Sequence, residues 1–150
     1  MTIRRSVTGL SAAAALAVIP LAATAAPAAA SVVAPMPTIY TLATQFGGLC
    51  AGSLNPVAEV YGPTENPYVG AKVHIGVNLY GFGRCATTGT IAWRNLDTGA
   101  QHSYPIWLQA GATTSADIFA PPGRVQVTLT ASEAHFPPDS TTEIRISPRA

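Results

Sequence analysis

The stretch KVHIGVNLYGFGRCATTGTIAWRNL, Lys72–Leu96, decides the fold. Val73, Ile75, Val77 and Leu79 alternate with Lys72, His74, Gly76, Asn78 and Tyr80. Period two predicts a strand with its odd positions facing a core and its even ones facing out. Just beyond it, Gly81, Gly83 and Ala86 fit G-x-G-x-x-A, the loop that cradles a dinucleotide pyrophosphate after a strand. That chemistry needs a helix next, because the first helical amides and the helix dipole hold the phosphates. Instead the chain continues with Thr87, Thr88, Gly89, Thr90 and Ile91, all poor helix formers, and Ile91 and Trp93 share one face of a second strand. Gly81 and Gly83 are therefore expected in a loop or bulge between two strands, with no nucleotide and no other cofactor.

The same alternation continues outward. Asp97–Gly99 reads as a hairpin turn, with Gly99 free to take a positive φ. The next strand, QHSYPIWL, points Tyr104, Ile106 and Leu108 inward, and Pro105 places it at a sheet edge because proline cannot donate to a ladder. TTSADIFA leads into the turn PPGR, then RVQVTLTA with Val125, Val127 and Leu129 inward, then TEIRIS with Ile144 and Ile146 inward. TIYTLAT and VAEVY are weaker strands on the near side. About eight short strands and no helix predict an all-β chain, an antiparallel sandwich rather than a small barrel. The polar face left on each strand favours the sandwich.

The beginning of the chain reads differently. Arg4 and Arg5 precede the uncharged, alanine-rich run VTGLSAAAALAVIPLAATA, and Ala23-x-Ala25 and Ala28-x-Ala30 both fit signal-peptidase cleavage. Residues 1–30 are thus expected to be a secretory signal peptide, cut after Ala30 or Ala25. Pro20 and the mild hydrophobicity of alanine argue against an uncleaved membrane anchor. Residues 31–37, SVVAPMP, read as a tether, and 38–150 as one domain. Of the 150 residues, eight are Lys or Arg and seven Asp or Glu; without Arg4 and Arg5 the net charge is −1. Lys72 is the one lysine and no basic block remains, so neither nucleic acid nor an anionic membrane is an expected partner. Few charges with many Thr, Ala, Gly and Pro suit an extracellular β-protein.

Cys50 and Cys85 are the only cysteines. In GLCAG, Cys50 copies the spacing of a nucleophile elbow, but the helix and parallel sheet that make an elbow work are missing. A single disulfide is expected instead, since an exported chain matures where thiols oxidise. It would pin an early, loop-rich segment to the end of the best core strand. Glu133, His135 and Asp139 share the segment SEAHFPPDS, which could hold a metal only with a further His or Cys, so an ordinary solvated loop and no metal are expected. His74 falls on an outward face beside Lys72 and Asn78. No catalytic residue is assigned.

Tyr80, Phe82, Trp107 and Phe119 fall on non-core positions or in loops, and Arg84 lies beside Phe82 on the stapled loop. Exposed aromatics anchor ligands and partners, so Tyr80, Phe82, Arg84 and Trp107 are the candidate contact residues. Trp93-x-Asn95-x-x-Thr98-Gly99, followed by PPGRVQVTLTAS, resembles small secreted immunoglobulin-like sandwiches of actinobacteria, many without an assigned activity. The resemblance spans roughly Val73–Ile146. It departs from antibody-type domains, in which the tryptophan lies between the cysteines and a tyrosine corner is present. It implies the sandwich and transfers no functional residue. The expected function is a secreted, non-catalytic module that binds a protein, a wall polymer or a small ligand. A hydrolase or lyase with a site assembled from distant residues is one alternative. An inhibitor presenting the loop GPTENPY, Gly62–Tyr68, is another.

Overall fold

A computed structural model describes residues 31–62 and 70–148. The expected signal peptide, and all but Gly62 of the expected inhibitor loop, lie outside them. The described chain forms ten strands and no helix: β1 Val32–Pro35, β2 Ile39–Ala43, β3 Leu49–Val60, β4 Ala71–Phe82, β5 Ala86–Asn95, β6 Gln101–Gln109, β7 Thr113–Ile118, β8 Gly123–Ala131, β9 His135–Phe136 and β10 Ser140–Ile146. Sheet A runs β7-β4-β3-β2-β9, with β1 also paired to β3; sheet B runs β10-β8-β5-β6. All pairings are antiparallel, so the chain is a two-sheet β-sandwich.

The alternation places the core as the sequence implies. Val73, Ile75, Val77 and Leu79 of β4 are buried, as are Ile91 and Trp93 of β5, Val125, Val127 and Leu129 of β8, and Ile144 and Ile146 of β10. These side chains meet between the sheets with Ile39, Leu54, Leu108 and Ile118. Pro105 is on β6, the last strand of sheet B, as its missing N–H requires. Gly99 closes the β5–β6 hairpin at φ 76°.

Two expectations need correction. Residues 32–35, read as a tether, form β1 and pair antiparallel with Val57–Val60. The segment around Cys50, read as loop-rich, belongs to β3, a twelve-residue strand in the middle of sheet A. Its Gly52, Asn55 and Pro56 are poor strand formers. Pro56 is tolerated because its carbonyl accepts from Met36 N–H, on the side away from β4. There β1 has ended and β2 has not begun, so nothing there requires the donor that proline lacks.

The Cys50–Cys85 disulfide is formed, with the Cα atoms 5.5 Å apart. Cys50 stands opposite Gly81 in the β3–β4 ladder, and the chain loops through Gly83 and Arg84 so that Cys85 returns to it. The bond therefore clamps the arch by which the chain leaves sheet A for sheet B. Gly81 and Gly83 make the arch possible. A Cβ on Gly81 would collide with the Leu49 carbonyl, and Gly83 has φ 75° with the Gly47 carbonyl against it. The fingerprint is thus a bulged crossover between two strands.

Candidate functional site

The four expected contact residues separate into two places. Tyr80 and Phe82 project from the outer face of sheet A, 76% and 82% exposed. Arg84 and Trp107 sit at the disulfide arch, where the guanidinium lies 5.5 Å from the centre of the Trp107 ring. Phe46 packs edge-on against the same ring at 4.2 Å. The Trp107 carbonyl accepts from the Thr114 hydroxyl at 2.9 Å. These two candidates thus pack on one another at the surface of the arch, where both stay exposed, an arrangement of the kind that stabilises by about 1 kcal/mol per ring or cation contact.

The more site-like feature is a groove along the open side of the sandwich, where the edges β6 and β7 face each other. Its volume is about 650 Å³, and Trp93, His102, Tyr104, Ile106, Ala116 and Phe119 supply most of its wall. Ligand pockets of this size are mainly apolar and aromatic, with a few polar groups. The His102 ring lies between Trp93, at 6.4 Å, and Tyr104, at 6.0 Å. Gln101, Ser115 and Asp117 supply polar atoms at the margin. Trp93, Gln101 and His102 also line a neighbouring hollow of about 520 Å³ that reaches the outer face of sheet B, with Arg94, Gln126 and Thr128.

Tyr104 anchors the groove. Its hydroxyl donates to the Asp117 carbonyl at 2.8 Å and ties β6 to β7. Burial, with the Asp117 charge nearby, pushes the phenol up to about 12. A pKa raised in the folded state gives stability that is full below the ordinary value of 10 and is lost as pH rises through 12. Tyr104→Phe should therefore lose about 1 kcal/mol at neutral pH, the net value of one hydrogen bond. It should also lose part of the alkaline instability between pH 10 and 12, seen by following unfolding against pH.

On the outer face of sheet A, His74 Nε2 lies 3.1 Å from Glu59 Oε2, and Ser115 is the residue opposite His74 on β7. Next to them Lys72 pairs with Asp117 at 3.4 Å, a contact that raises the lysine further. The Glu133–Asp139 segment, expected as a solvated loop, contains the short strand β9 paired with β2. Its three polar side chains have structural partners. Glu133 accepts from the Thr44 amide and hydroxyl, Asp139 from the Thr130 hydroxyl, and both His135 ring nitrogens face carbonyls. Burial raises the Glu133 carboxyl, but these bonds from Thr44, with others from Thr87 and Gln45, outweigh it and hold the group below its usual range.

The chain matches no family model, no curated protein and no solved structure.

His102 and Phe46 were not among the sequence candidates. For His102 a signal existed: it shares the inward parity of Tyr104, Ile106 and Leu108, and a polar ring on the core side of an edge strand marks an opening. Nothing local marks Phe46, whose partner Trp107 is far along the chain.

Proposed function

We propose that the chain is a secreted, non-catalytic binding module that takes a small, largely apolar ligand in the β6–β7 groove. The observation that carries this is the row Trp93–His102–Tyr104, with Phe119 across a groove of ligand size. A planar, aromatic ligand fits such a wall, with one hydrogen-bonding group directed at His102 or Gln101. Secretion is supported by the pattern of residues 1–30 and by a disulfide, which belongs to oxidising compartments. The likeness to secreted actinobacterial sandwiches is part of the same proposal.

Indole and p-cresol are suitable probes, followed by amide and side-chain NMR shifts. Saturable shifts at Trp93, His102, Tyr104 and Phe119 are expected, with affinity falling roughly fivefold in Phe119→Ala, the worth of one aromatic contact. Shifts confined to other surfaces would remove the groove from this role.

One observation favours a hydrolase instead. Glu59, His74 and Ser115 place an acid, a base and a hydroxyl on three adjacent strands. A hydroxyl nucleophile needs such a base, itself oriented by an acid. A fluorophosphonate probe decides the matter. Covalent labelling of Ser115 that is lost in His74→Ala would establish the enzyme, and an unlabelled protein that binds indole would leave the binding module.

A further inference from the structure

The outer face of sheet A carries a second feature that the groove does not use. Phe136 of β9 stands opposite Tyr40 of β2. Leu42, Ala51 and Tyr80 form the next row across β2, β3 and β4, and Leu49 stands beside Phe82 in the row after that. The four rings are 62–82% exposed and the two leucines 44% and 67%. At roughly 150–250 Å² per residue, these six neighbouring residues leave roughly 750 Å² open between them, most of it apolar. Monomeric proteins rarely expose a patch beyond about 300–600 Å². A stable interface takes about 800 Å² from each partner.

We infer that this face is the interface of a twofold homodimer. The area matches what one copy contributes to a standard interface. The charge layout fits the same partner. Along β4 the face carries Phe82, Tyr80 and Asn78 at one end and His74 and Lys72 at the other. Glu59 and Asp117 are paired with that far end. At about 3.4 Å per residue, His74 lies roughly 20 Å from Tyr80. A twofold axis through the patch sets uncharged surface against its own copy and leaves the ion pairs at the rim, the usual anatomy of a homodimer interface. A neutral polysaccharide suits the patch less well. The rings are massed with Leu42 and Leu49 between them, and branched aliphatic side chains give a sugar ring no face to stack on. The patch reaches β4 only at Tyr80 and Phe82, whereas β7 and its side of the groove pair with the far end of that strand, Ala71–Gly76, so the dimer leaves both grooves open.

Sedimentation equilibrium on protein exported by a secreting host tests this. The wild type is expected to be dimeric at micromolar concentration. Phe82→Glu is expected to weaken the dimer roughly a hundredfold, the effect of losing a buried aromatic anchor. Thr128→Glu, on the outer face of sheet B, should leave it unchanged. The far-UV circular dichroism spectrum of the Phe82→Glu protein should match that of the wild type, which reports that the variant is folded. A wild-type protein that stays monomeric at 100-fold higher concentration overturns the inference. So does a dimer indifferent to Phe82→Glu. A monomer that co-sediments with cellulose or chitin, and does so only with Phe82 intact, assigns the face to a glycan and overturns it as well.

Discussion

Replacing both Cys50 and Cys85 by alanine is expected to lower the free energy of unfolding by about 4 kcal/mol. The bond closes 35 positions of chain, and the loop-closure entropy restored to the unfolded state for such a length has that size. Its position adds to the effect. The disulfide holds the start of β3 to the arch between β4 and β5, so it limits the separation of the two sheets at that corner. Cys50 is also 2% exposed, and alanine leaves a gap where its sulfur was. Small domains are stable by only about 5–15 kcal/mol, so the loss is a large share of the total. Urea unfolding of the variant against the wild type measures it. A difference under about 1 kcal/mol would show that the reduced chain is already held by its ladders.

Asn95→Ala is expected to cost about 3 kcal/mol, more than most surface or hairpin changes. Asn95 is fully buried. Its Nδ2 donates to the carbonyls of Pro121 and Pro122, at 2.9 and 3.2 Å, and its Oδ1 accepts from the amides of Asp97 and Thr98, at 3.0 and 2.9 Å. One side chain thus serves two turns that lie more than twenty residues apart in the chain. Removing it strands groups whose desolvation costs about 1–3 kcal/mol each when water does not replace the partner. Asn95→Asp separates the two halves of the bond set. It keeps the acceptor for Asp97 and Thr98 but, once ionised, sets a charge against two carbonyl oxygens, so it should be worse at pH 7 than at pH 3. Thermal unfolding of the variant and the wild type at both pH values reads this as the difference between them, since the carboxyls of Glu133 and Asp97, held low in the fold, cost both proteins stability as pH falls. The same deficit for Asn95→Asp at both pH values would mean that water has entered beside the prolines.

The two halves of the chain differ in how plainly the sequence shows the fold. Val73 to Leu79 and Val125 to Leu129 carry strict alternation, and both are buried strands because period two has one satisfactory burial. Leu49–Val60 carries the same burial pattern in its second half, yet Gly52, Asn55 and Pro56 mask it. Those residues are there for neighbours that no local pattern names. A Cβ at Gly52 would strike the Asn78 carbonyl, and Pro56 sits at the gap between two flanking strands. Ser31–Pro37 misleads for a similar reason, since two prolines look like a tether until β3 supplies the ladder.

The candidate site is legible one residue at a time but not as a surface. Tyr80, Phe82 and Phe119 are exposed, as their positions imply. Their companions come from strand pairings that the sequence does not announce. Phe136 reaches Tyr40 only because β9 adds to β2, and Phe119 faces Trp93 and His102 only because β7 and β6 are the matching edges of different sheets. Arg84 and Trp107 look like a contact pair and are one, with each other.

Pro105 has a consequence for what happens at high concentration. The Trp107 carbonyl turns toward β7, and two residues earlier the backbone of Pro105 turns the same way, toward the free side of β6. A strand arriving there finds a gap where a donor should be. At the opposite limit of the other sheet, β9 offers only two residues. Open-ended strand addition, the route by which sandwiches grow into fibres, is interrupted at both places. At these two edges an added strand finds no full ladder, which favours a closed assembly such as the proposed twofold pair over an open one.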